Sequence, residues 1–246
     1  MKFIKLFEEQ TAFDEAKSTL NRPNVSLIKT NRKVYSLTEE GGVINANGHS
    51  YVDLGLPSRT LWAKCNVGET YETGYGDYFM WGSTTPNTPD ECTWRNAPFN
   101  GGSSSFNSTY FNSVKDTVCP NGVLAKKYDA ASQIMGGDWR MPTEAELREL
   151  LSGTTNEWIA NYNETGVSGR KFTSKKDTSK YIFIPAADLY DNGSVSNIGD
   201  RGYVWSSSLN TSDPESALEL DFNSGNYYVL NLSRYSGLSV RGVLKR

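Results

Sequence analysis

Alternation of apolar and polar side chains is clearest late in the chain. From Ala217 to Phe222, Leu218, Leu220 and Phe222 fall on one side of an extended backbone and Ala217, Glu219 and Asp221 on the other, the period-two pattern of a half-buried strand. Asn223-Ser224-Gly225-Asn226 predicts a turn. The strand after it is expected to send Tyr228, Leu230 and Leu232 to the core and to leave Tyr227, Val229, Asn231 and Ser233 outward. A slip of one residue in register would reverse that face. Other strand patterns occupy residues 51–54, 60–63, 171–173, 181–184, 203–207 and 238–243.

Helical spacing appears in the middle of the chain. A short helix is expected over residues 128–135, stopped by Gly136-Gly137, and a better one over 143–151. In the latter Thr143 caps, Glu146 completes a capping box, Leu147, Leu150 and Leu151 form the apolar stripe, and Gly153 ends it. Residues 68–120 are rich in Gly, Ser, Thr, Asn, Pro and aromatics, and irregular but packed loops are expected there, anchored by Tyr78, Trp81 and Trp94. Residues 1–40 have a compact β-α-β-β pattern of their own: an apolar start at 3–7, a helix at 11–20 capped by Thr11, and strands at 25–28 and 33–37. Glu39-Glu40-Gly41-Gly42 marks a junction, so the expected organisation is a small unit over 1–40 and a main domain over 41–246. Strands gathered late and helices gathered mid-chain indicate an α+β class.

Composition narrows the function. The 25 basic and 28 acidic residues give a net charge of -3, so there is no broad basic field to draw nucleic acid or an anionic membrane. No apolar run reaches the roughly 20 residues of a membrane span, and residues 1–8 do not read as a signal peptide, which predicts synthesis and retention in the cytoplasm of the producing cell. Cys65, Cys92 and Cys119 are too few and too dispersed for a zinc cluster, and free or structural thiols are expected. His49 is the sole histidine, so any histidine-dependent triad would have to run through it. The acid pairs Asp188 with Asp191 and Asp213 with Glu215 have the chemistry for glycoside hydrolysis, but solvated loop carboxylates are the commoner reading. Phosphate loops, dinucleotide fingerprints and metal-spaced sets of Cys and His are absent. By contrast, Tyr203 to Val240 carries six aromatics, four Asn and nine Ser but only five charges, a mixture suited to contact surfaces. Binding, without a cofactor, is expected ahead of catalysis.

Several motifs occur in order: His49-Ser50-Tyr51-Val52-Asp53-Leu54-Gly55-Leu56-Pro57-Ser58, Leu61-Trp62-Ala63 with Cys65-Asn66-Val67-Gly68, Tyr75-Gly76-Asp77-Tyr78-Phe79-Met80-Trp81-Gly82, Gly136-Gly137-Asp138-Trp139-Arg140-Met141-Pro142-Thr143, Ile184-Pro185-Ala186-Ala187, Trp205-Ser206-Ser207-Ser208 and Val240-Arg241. Together they resemble the Fibrobacter succinogenes major paralogous domain over about residues 45–244. The resemblance implies a C-type-lectin-like fold, with two helices packed on short twisted antiparallel sheets and long irregular loops. That fold also includes formylglycine-generating enzymes and the variable ligand-binding proteins of diversity-generating retroelements. The late cysteine pair of those enzymes has no counterpart after Cys119, and the Glu-Pro-Asn and Trp-Asn-Asp motifs of calcium-dependent lectins are missing. Asp191-Asn192-Gly193-Ser194 is read as a turn, not a calcium loop. Trp81, Trp139 and Trp205 are assigned to the core, not to sugar stacking.

Lectin-like folds place ligand contacts near the last hairpin. By resemblance, Tyr227, Asn231, Ser233 and Tyr235, joined by Asn210 and Ser212, are the expected ligand-binding residues. Residues 1–40, through Lys5-Leu6-Phe7-Glu8, Ala16-Lys17 and Pro23-Asn24-Val25-Ser26-Leu27, are similar to the openings of structural proteins from phages and prophages of gut Bacteroidales. The combined expectation is a virion surface protein of head-fibre, tail-fibre or decoration type. Residues 1–40 would dock on other virion proteins, the chain would form a homo-oligomer such as a trimer, and the lectin-like domain would bind a glycan or protein on a host or mucosal surface. A bacterial surface or secreted adhesin and a purely structural capsid decoration protein are the alternatives.

Overall fold

The computed structural model describes residues 25–30, 33–38, 44–195 and 198–246, with side chains from Ala46 onward. The class is α+β, mostly short antiparallel sheets, with three α-helices among the described residues. Strands β1 (Val25–Thr30) and β2 (Lys33–Thr38) pair antiparallel, Val25 opposite Thr38, where two strands were expected. The apolar start at 3–7, the helix expected over 11–20 and the junction at 39–42 lie outside the described residues.

A four-stranded sheet joins β3 (Ile44–Ala46), β4 (His49–Asp53) and β5 (Thr60–Asn66) to the chain's last strand, β16 (Arg241–Lys245), in the order β16-β5-β4-β3. A three-stranded meander runs β7 (Thr154–Ile159), β8 (Gly169–Ser174), β9 (Tyr181–Pro185). The short hairpin β10 (Tyr190–Asp191) and β11 (Ser194–Val195) turns through Asn192 and Gly193, both at positive φ, as the Asn-Gly pair demands. The largest sheet takes β6 (Tyr78–Phe79), β12 (Arg201–Leu209), β13 (Ser216–Asn223), β14 (Tyr227–Ser233) and β15 (Leu238–Ser239) in the order β14-β13-β12-β15-β6, leaving β14 at an edge.

Three element expectations change. Residues 68–120 are not all irregular: α1 (Ser108–Val118) forms there, its first turn capped by the Asn107 side chain accepting from the Tyr110 N–H, with Phe111 and Val118 buried. Its polar, β-branched composition hides a helix that tertiary packing holds. The strand expected over 238–243 divides at Val240 into β15 and β16, which belong to different sheets. Strand β7 directly follows the helix expected over 143–151, where no strand was expected.

The other helices agree with their signals. In α2 (Ala130–Ile134), Asp129 caps the Ser132 N–H. In α3 (Glu144–Gly153), the Thr143–Glu146 capping box is present and Leu147 and Leu150 are buried.

Two large apolar clusters lie one on each side of strands β12 and β13, and a smaller third holds Met80, Cys92 and Ala97. One large cluster holds Leu147, Leu150, Trp62, Phe172, Ile182, Val204, Leu220, Phe222 and Val229. The other holds Trp81, Phe111, Trp139, Tyr203, Trp205 and Ala217. The three motif tryptophans are indeed core: their indole N–H groups donate to backbone carbonyls, Trp81 to Ser206, Trp139 to Ala46 and Trp205 to Phe79. All three cysteines are free.

Candidate functional site

The turn Asn223–Asn226 fixes the face that β14 presents. The Asn223 side chain accepts from the N–H groups of Gly225 and Asn226, and the ladder closes with Phe222 opposite Tyr227. Directly opposed residues share a face, so Tyr227, Val229 and Asn231 join the side of Phe222, Leu220 and Leu218. The expected register is therefore reversed. Val229 is 7% exposed and packed in the core, whereas Tyr228 is 53% and Leu230 43% exposed on the opposite side.

The six expected contact residues do not converge. Tyr227 is exposed, but its ring lies under the Arg170 guanidinium at 4.6 Å, on the Phe222 side. Asn231 is exposed on that same side, and Ser233 is half-buried opposite Ser216 at the far end of the strand, roughly 20 Å from Tyr227 at about 3.4 Å per residue. Tyr235 packs edge-on against Trp94 at 5.1 Å, and its hydroxyl accepts from the Asn192 amide at 3.2 Å. Asn210 is consumed by a turn, its side chain accepting from the N–H groups of Ser212 and Asp213; Ser212 itself is exposed.

The structure instead brings six other side chains to one sheet face. Arg201 and Tyr203 come from β12, Glu219 and Asp221 from β13, and Tyr228 and Leu230 from β14. The registers set Tyr203 opposite Asp221 opposite Tyr228, and Trp205 opposite Glu219 opposite Leu230. Arg201 forks onto Asp221, with Nε donating to Oδ1 at 2.9 Å and Nη2 donating to Oδ2, and its guanidinium lies 5.1 Å from the Tyr203 ring. Those bonds hold the Arg201 guanidinium above its ordinary range.

The polar side of β13 is not solvated as alternation predicts: Glu219 is 2% and Asp221 5% exposed. Burial, with Asp221 adjacent, pushes the Glu219 carboxyl well above its ordinary 4.5, while Arg201 opposes. Burial likewise raises Tyr203, with the Arg201 charge opposing and Asp221, Asp188 and Glu219 adding to the rise. The signal that could have located this site is the pair of acids at alternate positions of the stretch Ala217 to Phe222, whose other positions are all apolar.

Asp188 is buried at a positive φ of 54°, and Asp213 accepts from the Ser216 hydroxyl. His49 stands edge-on to Trp139 at 6.1 Å and burial lowers its pKa. No three His, Cys, Asp or Glu side chains converge on a metal-sized point among the described residues, nor is any described helix long and apolar enough to cross a membrane. No family model, curated protein or solved structure matches the chain.

Proposed function

We propose that the chain is a binding protein of a phage particle. Its C-type-lectin-like domain displays the exposed side of the edge strand β14, through Tyr228 and Leu230, to a glycan or protein on a host-cell or mucosal surface, and residues 1–40 dock on other virion proteins. The observation that carries the binding reading is strand β14: its seven residues hold no charge, Tyr228 and Leu230 stand in solvent, and β13, on which it rides, feeds the cores on both sides of the sheet. Rigid aromatic and aliphatic groups on an immobile support lose little entropy on contact, which suits a recognition surface. A homo-oligomer, a trimer for a fibre, would let several small faces act together.

The test is adsorption. Replacing Tyr228 and Leu230 together by Ala is expected to weaken binding of the purified chain to host cells at least tenfold, with the melting midpoint within a few degrees of the parent. Unchanged adsorption overturns the assignment of this face. The uncharged edge strand also suits packing against neighbouring subunits, the decoration role, and that reading wins if the double variant weakens particle assembly while adsorption stands.

A further inference from the structure

The turn from β4 to β5 and the turn from β8 to β9 enclose a cavity of about 410 Å³, within the range of small-ligand sites. The first turn supplies Asp53, Gly55, Leu56 and Arg59 to its wall, the second Lys176, and Arg246 comes from just past β16. Three cations therefore face one carboxylate. Asp53 is already engaged: its Oδ2 accepts from Arg246 Nη1 at 3.0 Å and its Oδ1 from the Gly55 N–H at 2.8 Å. Arg59 and Lys176 hold no ion pair among the described residues. Of the acids on the flanking elements, Glu149 accepts from the Ser58 N–H and hydroxyl, and Asp177 pairs with Lys180.

The walls are set by the fold itself. Ser58 ties the first turn to α3 through Glu149. The Ser174 hydroxyl ties the second turn to the first, donating to the Leu54 carbonyl at 2.7 Å and accepting from the Lys176 N–H at 3.2 Å. Gly55 has a φ of 68°, and the Lys176 stem crosses it so closely that a Cβ there would stand 3.1 Å from the lysine Cδ. Arg59 also lies at positive φ, 60°, where glycine is at ease and a larger residue is strained. A guanidinium and an ammonium with no carboxylate of their own, on a fixed support, bind an anion, the guanidinium through a fork of two N–H donors. A bare ion leaves most of the space unused and is repelled by Asp53, whose carboxylate still has lone pairs for a hydroxyl donor. Leu56 and Pro57 are the only apolar side chains of the lining, and no aromatic ring is there to stack a base. We propose that the cavity binds a sugar ring that carries an anionic substituent, with Arg59 and Lys176 on the anion and Asp53 on a ring hydroxyl. The site lies outside strands β12–β14 and is separate from the surface of Tyr228 and Leu230.

Sulfated, phosphorylated and carboxylated sugars share this chemistry, and parallel probes separate them. The full chain is titrated by calorimetry with glucose 6-sulfate, glucose 6-phosphate and glucuronate, beside neutral glucose and inorganic sulfate, with the Gly55 and Lys176 amide resonances as local reporters. Saturable binding of at least one charged sugar is expected, at least tenfold tighter than glucose or inorganic sulfate and weakening as salt rises. Arg59→Gly, which relieves the backbone, is expected to lower that affinity at least tenfold with no fall in melting midpoint, and Lys176→Gln to lower it severalfold. Lys175, whose ammonium donates to the Ser152 carbonyl and does not line the cavity, is the control, and Lys175→Gln is expected to bind like the parent. No saturable binding of any charged sugar, equal binding of glucose, inorganic sulfate bound as tightly as the best sugar, full affinity in both Arg59→Gly and Lys176→Gln, or an equal loss in Lys175→Gln overturns the site. The double Ala variant at Tyr228 and Leu230 is expected to keep the charged sugar. Failure of the charged sugars alone leaves the β14 surface standing, and adsorption that ignores Tyr228 and Leu230 leaves the cavity standing.

Discussion

Two glutamates in this fold answer to opposite surroundings. Burial alone would raise the Glu146 carboxyl, but hydrogen bonds from Arg140, the Thr143 N–H and the Thr60 hydroxyl, together with the Arg140 charge, outweigh it and hold the group at about 2. Glu219 has burial and a like charge without an adequate donor, and moves up. Their linkage to folding therefore differs in sign. The stability from Glu146 is present above its ordinary 4.5 and is lost as pH falls toward about 2. The folded state holds the Glu219 proton more tightly than the unfolded chain, so stability from that group is full below 4.5 and drains away as pH rises through the higher folded value. Urea unfolding between pH 3 and pH 8 is expected to show Glu219→Gln gaining on the parent as pH rises and Glu146→Gln losing its disadvantage as pH falls. Parallel curves for parent and Glu219→Gln would refute the assignment. Arg241 shows the structural alternative for a buried charge: burial lowers it to about 10, yet it donates to Asn66 Oδ1 and to the carbonyls of Ala63, Lys64 and Phe183, so its donors stitch β16 to β5 and β9.

Strand β14 is where element-level reasoning meets its limit. Tyr227-Tyr228-Val229-Leu230-Asn231-Leu232-Ser233 has apolar residues on both faces, so periodicity alone cannot choose a side. The choice is made by the turn, which pairs Phe222 with Tyr227 and carries Val229 into the core with them. Val229→Asn is expected to cost about 2–4 kcal/mol, through lost packing and a buried amide, and Leu230→Asn less than about 1 kcal/mol. Denaturant midpoints decide this, and the reverse order would restore the register read from the sequence. The capping box at Thr143 and Glu146 and the leucines at 147 and 150 made α3 legible, because helix ends and stripes are local signals. Helix α1 and the break at Val240 were not, since the first is held by burial of Phe111 and Val118 and the second by which sheet offers a partner. The candidate site was hidden for the same reason: Arg201 reaches Asp221, and Tyr203 lies beside Asp221 and Tyr228, only through long-range pairing of β12, β13 and β14.

At the scale of the whole molecule, strands rather than helices decide whether the two cores can part. Val204 feeds one cluster while its neighbours Tyr203 and Trp205 feed the other. In β13, Ala217 and Leu220 divide likewise; in β5, Leu61 and Trp62; in β16, Leu244 and Val243. Losing either core would leave the same strands bare on one face, which predicts a single cooperative transition for the region that contains both. All six tryptophans lie within it, at 62, 81, 94, 139, 158 and 205, so indole fluorescence reports on this region alone. Leu147→Ala removes buried contacts from one core and Phe111→Ala from the other, where the ring also lies 4.2 Å from the Arg234 guanidinium. Each is expected to cost about 2–5 kcal/mol, and each should shift the fluorescence and far-ultraviolet circular dichroism transitions together. A Leu147→Ala variant that loses structure by dichroism while the fluorescence of Trp81, Trp139 and Trp205 persists would mean that the cores melt separately. The β12–β14 sheet would then rest on one core only, and its rigidity, on which the binding reading depends, would have to come from the loops that flank it.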